Sequence, residues 1–130
     1  MTATQIQAAP SLCPSRERPI DLVHLARQTG GSQSLELEVL GIMARQIGDA
    51  LAISTEPDPR TNLRSLAHAL CGAARNMGAF PLARAARQLE AQPADREALD
   101  GFRRELSRAL VFIRALTLME DRVDGGGRAH

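Results

Sequence analysis

The sequence predicts an all-α fold, an antiparallel four-helix bundle with a short extra helix at its N-terminus. Ala and Leu dominate the apolar residues while Val and Ile are few, which favours helices over strands. Apolar side chains recur every three or four residues along several segments, as in amphipathic helices. Proline, glycine and capping residues fall between these segments, where helices begin and end.

The first two helices are separated by a pair of glycines. Asp21 is expected to cap a short helix that runs to about Gln28, because an aspartate can accept hydrogen bonds from the unpaired N–H groups of a first turn. Gly30 and Gly31 end it. A second helix is expected from Ser32 to about residue 53.

One apolar stripe at helical spacing marks the second helix. Its members are Leu35, Val39, Ile42, Met43, Ile47, Ala50 and Leu51. Gly41 and Gly48 interrupt this helix, and each costs about 1 kcal/mol relative to alanine. Either they permit close packing or they weaken the helix.

The third helix follows a proline-rich break. Asp58 is expected to act as its N-cap, with Pro59 at the first helical position, where a missing N–H has no cost. The helix is expected to run to about Met77. Gly78 then provides a natural C-terminal stop.

The last two helices are also bounded by proline and a capping residue. The fourth opens at Pro81, Pro93 breaks the chain, and Asp95 caps the fifth. The fifth helix carries a seam that faces partner helices. Its members are Leu99, Phe102, Leu106, Ala109, Ile113 and Leu116. Four amphipathic helices with short connections predict an antiparallel bundle, and the short first helix is expected to cover one end.

The chain is long enough for one domain, flanked by two polar ends. Residues 1–18 carry prolines without helical periodicity and predict a flexible leader. The helical bundle occupies 19–123. The glycine-rich stretch 124–130 predicts a disordered tail.

Composition excludes several classes of function. A net charge of +1 argues against nucleic-acid binding through phosphate neutralisation. All sixteen basic residues are Arg, so no Schiff-base, P-loop or kinase lysine is present. The two cysteines have no zinc-ligand spacing, and no metal site is expected. No apolar run is long enough to cross a membrane, and no secretory signal is present, so a cytoplasmic protein is expected.

His68 in the third helix is the candidate functional residue. At roughly 100° per residue, the apolar stripe of this helix is centred nearly opposite His68, so the ring is expected to face solvent. A neutral imidazole is a good nucleophile near pH 7. Its own side of the helix carries Arg64, Cys71, Gly72 and Arg75. The glycine would leave bare backbone for the approach of another protein, and the arginines could bind phosphoryl oxygens.

The segment around His68 resembles the motif of histidine-containing phosphotransfer (HPt) domains. It reads Ala67-His-Ala-Leu-Cys-Gly-Ala-Ala-Arg-Asn-Met-Gly-Ala79, and the resemblance extends over about residues 19–121. The family pattern is roughly Ala-His-x-Leu-Lys-Gly, followed by small residues and Gly-Ala. The resemblance implies a bundle whose exposed histidine, here His68, accepts a phosphoryl group, with Gly72 as the glycine that permits contact.

One position departs from the family pattern. The family usually has Lys three residues after the histidine, near the phosphoryl oxygens, and this chain has Cys71 there. Arg64 or Arg75 is a candidate to take over the charge, as are Arg84 and Arg87 of the fourth helix. Cys71 is expected to be a small residue tolerated at the surface.

Other titratable residues have plainer expected roles. His24 is expected to pack or to cap the first helix, and His130 to have no role. Glu90 would approach His68 if the third and fourth helices pair as a hairpin, although an ordinary surface acid is the simpler interpretation.

The resulting hypothesis is a phosphorelay carrier without kinase activity or a cofactor of its own. The resemblance implies that His68 takes the phosphoryl group from the aspartyl phosphate of a receiver domain and passes it to another receiver. Partners would be response regulators or the receiver domain of a hybrid kinase, and the receiver would supply Mg²⁺. The carrier is expected to be monomeric. The alternative is a non-catalytic HPt-like module that binds a receiver or dimerises without transfer.

Overall fold

The computed structural model describes residues 17–56, 58 and 60–128, and for 120–128 it describes the backbone alone. Within these ranges the chain forms five helices and no strand. They are α1 (Leu22–Gln28), α2 (Gln33–Thr55), α3 (Leu63–Met77), α4 (Phe80–Ala91) and α5 (Arg96–Arg128). The all-α prediction is confirmed. The longest four helices build the bundle, and α1 lies against the C-terminal end of α3.

Short polar side chains fix where most helices begin. The Asp21 carboxylate accepts hydrogen bonds from the N–H groups of Val23 and His24, and Ser32 accepts one from Leu35. Asp95 accepts one from Glu97 at the start of α5. The sequence predicts Asp21 and Asp95 as caps and a helix start at Ser32, because a short oxygen-bearing side chain satisfies N–H groups that a first turn leaves unpaired.

The expected start of α3 is wrong by about one turn. Asn62, not Asp58, is the N-cap, and its side chain accepts a hydrogen bond from the N–H of Ser65. Asp58 instead closes a tight turn, in which its carbonyl and carboxylate accept hydrogen bonds from Thr61 and Arg60. Both residues are good capping types, so residue type alone does not choose between them. Pro59 lies outside the described residues.

The last helix is longer than the sequence predicts. The backbone of α5 continues to Arg128, past the expected boundary at residue 123. Once a helix is nucleated, each further residue adds one hydrogen bond, and glycine raises the cost of extension without forbidding it. Residues 129–130 and the leader 1–16 lie outside the described ranges.

Small and branched apolar side chains fill one core between the helices. Its largest fully buried members are Phe102, Ile20, Leu25, Met43, Ile47, Leu82, Leu89, Leu106 and Ile113. The α5 seam is buried as expected, with Leu99 and Leu116 partly exposed. α3 pairs closely with α4, and α2 with α5, whereas α2 and α3 touch less.

The α2 stripe is only partly buried. Met43, Ile47 and Ala50 face the core, but Ile42 is 45% exposed and Leu35 42% exposed. Ile42 and Met77 line a shallow groove between α2 and α3. A Cβ added at Gly41 or Gly48 would meet nothing within 4 Å, so these glycines are not required for close packing. Since Ile42 is partly exposed in this groove, its apolar surface is accessible beside α3.

Candidate functional site

His68 stands on the outer face of α3. Its side chain is 76% exposed. Ala67, Leu70 and Ala74 of the same helix are buried on the inner side. The helical spacing predicted this orientation, since the apolar stripe fixes which side of the helix turns inward.

A carboxylate on the neighbouring helix holds one nitrogen of the ring. His68 Nδ1 lies 2.7 Å from Oε2 of Glu90, and the Glu90 side chain is 31% exposed. A carboxylate oxygen can only accept, so the contact assigns a proton to Nδ1. The neutral ring then carries its lone pair on Nε2, which has no hydrogen-bond partner among the described residues. The site presents an oriented imidazole whose nucleophilic nitrogen faces solvent.

The α3–α4 turn brings Glu90 to His68. The two helices are antiparallel and joined by Gly78 and Ala79. Gly78 adopts the left-handed conformation, with φ of 84°, and its N–H bonds back to the last turn of α3. Such a tight turn fixes which residues of the two helices lie opposite each other. The turn is therefore the sequence signal that Glu90 approaches His68. The simpler interpretation, in which Glu90 is an ordinary surface acid, is wrong.

Gly72 leaves open space one turn beyond His68. The residue is exposed, and an added Cβ would meet nothing within 4 Å. A glycine inside a helix is unfavourable by about 1 kcal/mol relative to alanine. Nothing in the bundle requires it, so the bare backbone is available to a surface outside the molecule.

Cys71 is buried, which corrects the expectation of a surface position. It is 7% exposed and belongs to the hydrophobic core. Its position on the helix lies about 60° from His68, at the edge of the inner face, where helical spacing alone does not decide burial. Its thiol accepts a hydrogen bond from the Arg75 guanidinium, with Nη2 and Sγ 3.6 Å apart. Cys71 is therefore not in reach of a phosphoryl group through its own side chain.

The four candidate arginines lie in different settings. Arg64, Arg75 and Arg87 are exposed on the α3–α4 surface. Arg84 instead pairs with Glu17, which places it with the chain entering the bundle. Arg64 and Arg75 lie on the His68 side of α3, and the Arg75 guanidinium donates a hydrogen bond to the thiol of Cys71.

The second described histidine, His24, is a packing residue, as expected. Its Nε2 donates to the carbonyl oxygen of Asn76 at 3.0 Å, and its ring meets the edge of Phe80 at a centroid distance of 5.2 Å. It joins α1 to the end of α3. His130 lies outside the described residues.

Two further properties of the described part bear on the site. No group of three His, Cys, Asp or Glu side chains in the described ranges is placed to hold a metal ion. Of the helices described, none is both long and apolar enough to cross a membrane.

Comparison with known proteins identifies one family. The family model described as Hpt domain matches residues 30–112, well over half of the chain. The match covers α2, α3 and α4 and most of the buried part of α5, and it includes both His68 and Glu90. No curated protein and no solved structure gave a match.

Proposed function

The chain belongs to the Hpt domain family, and we propose that it is a phosphorelay carrier in which His68 is the phosphoacceptor. Histidine phosphotransfer in phosphorelays is the activity of this family, and its members interact with receiver domains of response regulators. The observation that supports the role of His68 is its hydrogen bond to Glu90. That contact leaves Nε2 as the exposed nucleophile.

The reaction follows from this arrangement. The Nε2 lone pair attacks the phosphorus of a receiver aspartyl phosphate in line with the bond to the aspartate oxygen. The N–P bond forms, the O–P bond breaks, and the aspartate leaves as a carboxylate. The proton stays on Nδ1, so the phosphorylated ring is an imidazolium, and the Glu90 carboxylate stabilises its positive charge. Passing the phosphoryl group to a second receiver is the same reaction in reverse.

The chain supplies the nucleophile, and the receiver supplies most of the active site. His68 lies on a convex helix face rather than in a cleft, so the partner must enclose the reacting atoms. We assign the catalytic Mg²⁺ to the receiver. In this proposal the carrier meets its receivers in the cytoplasm and acts as a monomer.

The surface between α2 and α3 is suited to docking a receiver. It combines the exposed backbone at Gly72 with the apolar side chains of Ile42, Val39 and Met77, which line one groove beside α3. Apolar contact on the same helix as a reactive group helps to orient the partner. Ile42 is the most exposed of these side chains at 45%.

The test is phosphotransfer from labelled receivers. Receiver domains charged with labelled phosphate are incubated with the wild-type chain, His68→Gln and, as a matched control, His24→Gln. We expect acid-labile, alkali-stable label on the wild type and on His24→Gln, and none on His68→Gln.

Two outcomes contradict the proposal. Label that persists in His68→Gln places the acceptor elsewhere. Receivers that bind the chain measurably yet never label it make this protein a non-catalytic interaction module. Sedimentation of the unlabelled chain then decides whether such a module dimerises.

A further inference from the structure

We propose that Arg75 supplies the cation that binds the phosphoryl group on His68, and that the buried thiol of Cys71 positions it. This inference rests on the proposed function of His68. A phosphoryl group on Nε2 brings negative charge to a ring whose other nitrogen already contacts the Glu90 carboxylate. A nearby cation offsets that repulsion.

Side-chain direction distinguishes the three arginines around His68. Side chains of an α-helix lean toward its N-terminus. Arg64 precedes His68 by one turn, so its side chain leans away from the ring. Arg75 follows His68 by two turns on nearly the same face, so its side chain leans toward the ring.

Arg87 of α4 is directed the other way. His68 lies opposite Glu90 in the antiparallel pair, so Arg87, three residues before Glu90, lies opposite the stretch just after His68. The N-terminal direction of α4 is the C-terminal direction of α3. The side chain of Arg87 therefore leans away from His68.

The contact with Cys71 shows that Arg75 does fold back along α3. Its Nη2 lies 3.6 Å from the Cys71 Sγ, four residues toward the N-terminus. The guanidinium charge is thereby carried to the level of position 71, about 5 Å along the helix axis from His68. Position 71 is where the Hpt family pattern usually has lysine. A lysine there would repel Arg75, whereas a small buried thiol accepts a hydrogen bond from it.

The experiment charges the full chain with phosphoramidate, a small donor that needs no receiver. Nε2 of His68 attacks phosphorus, the N–P bond of the donor breaks, and ammonia leaves. The rate of phosphohistidine formation is followed by ³¹P NMR for the wild type, Arg75→Gln and the control Arg114→Gln, an exposed arginine on α5. We expect Arg75→Gln to be slowed about five- to tenfold, corresponding to about 1 kcal/mol, and Arg114→Gln to match the wild type.

Charge rescue separates a role in binding from a structural one. The double variant Cys71→Lys with Arg75→Gln returns the cation to position 71 and is expected to recover the wild-type rate within about twofold, well inside 1 kcal/mol. Should that variant fail to fold, Arg75→Lys keeps the charge and is expected to recover most of the rate. In ¹⁵N spectra, the Arg75 side-chain resonance is expected to shift on phosphorylation while that of Arg114 does not.

Three results would overturn the inference. They are an Arg75→Gln rate equal to the wild type, a rescue variant that folds but stays slow, and a wild-type chain that takes no phosphoryl group on His68. Because phosphoramidate bypasses the receiver, failure of the proposed function appears separately. In that case receivers do not label the chain, while the chemical reaction still depends on Arg75.

Discussion

His24 and His68 are both histidines of the same fold, but they lie in different environments. Each ring has one nitrogen held by an acceptor, a carbonyl oxygen for His24 and a carboxylate for His68. His24 is half-buried and donates through Nε2, the nitrogen farther from its backbone, so this ring joins α1 to the end of α3. His68 uses Nδ1, the nitrogen nearer the backbone, and keeps Nε2 outside. The nitrogen used and the exposure of the ring therefore distinguish a packing histidine from the proposed phosphoacceptor.

The largest effect we expect concerns the turn that supports both histidines. In Gly78→Ala, the new Cβ would lie 3.0 Å from the Asp21 carbonyl oxygen and 3.2 Å from the His24 ring, at a φ that side chains disfavour. The free energy of unfolding is expected to fall by about 2–4 kcal/mol. Urea denaturation measures it, with Gly41→Ala as the matched control in open space. Equal free energies of unfolding for the two variants would show that the turn does not require glycine at position 78.

Removing the carboxylate tests what distinguishes His68. In Glu90→Ala the ring loses a charge-assisted hydrogen bond worth about 1.5–3 kcal/mol, so transfer to His68 is expected to slow about 10- to 100-fold. Glu90→Gln, whose amide oxygen still accepts from Nδ1, is expected to retain more activity than Glu90→Ala. Quenched time courses with a phosphorylated receiver measure the transfer rates of both variants. Equal rates in all three proteins would show that Glu90 does not orient the ring.

Removing the second histidine tests the other side of the comparison. His24→Ala loses the hydrogen bond to Asn76 and the edge contact with Phe80, and a stability loss of about 1–2 kcal/mol is expected. Phosphotransfer, measured well below the melting temperature, should be unchanged. A transfer defect without a stability defect would contradict the assignment of His24 as a packing residue.

The smallest effects are expected for Gly72→Ala, which should raise stability but slow transfer from a receiver. Gly72→Ala fills open space on a helix, so the free energy of unfolding is expected to rise by up to about 1 kcal/mol. Transfer from a receiver should weaken, because the docking surface loses its bare backbone. Transfer from phosphoramidate should stay the same. A variant that is both more stable and equally active with receivers would show that docking does not use this position.

Much of the fold follows from local signals in the chain. Asp21, Ser32 and Asp95 cap helices because their side chains reach N–H groups a few residues away, and such contacts are local in the sequence. The start of α3 was missed because Asp58 and Asn62 are equally suited to capping. The outcome depends on the turn that Asp58 closes instead.

The site was less predictable wherever a second helix takes part. The outward position of His68 follows from the stripe on its own helix. The burial of Cys71 does not, since that residue lies at the edge of the stripe, where tertiary packing decides exposure. The contact with Glu90 required the register between two helices, which is a tertiary property. Arg75 was a candidate by position, and its direction became clear only from the contact with Cys71.

The two-residue connection between α3 and α4 also bears on how the molecule folds. Contacts within a helical hairpin close short loops, so their entropy cost is low and they form early. His68 and Glu90 belong to that single hairpin, whereas α2 must pair with the distant α5. We expect native-state hydrogen exchange to show the α3–α4 hairpin as one cooperative unit. The geometry around the imidazole therefore depends on one short hairpin, and the long-range pairing of α2 with α5 is not part of it.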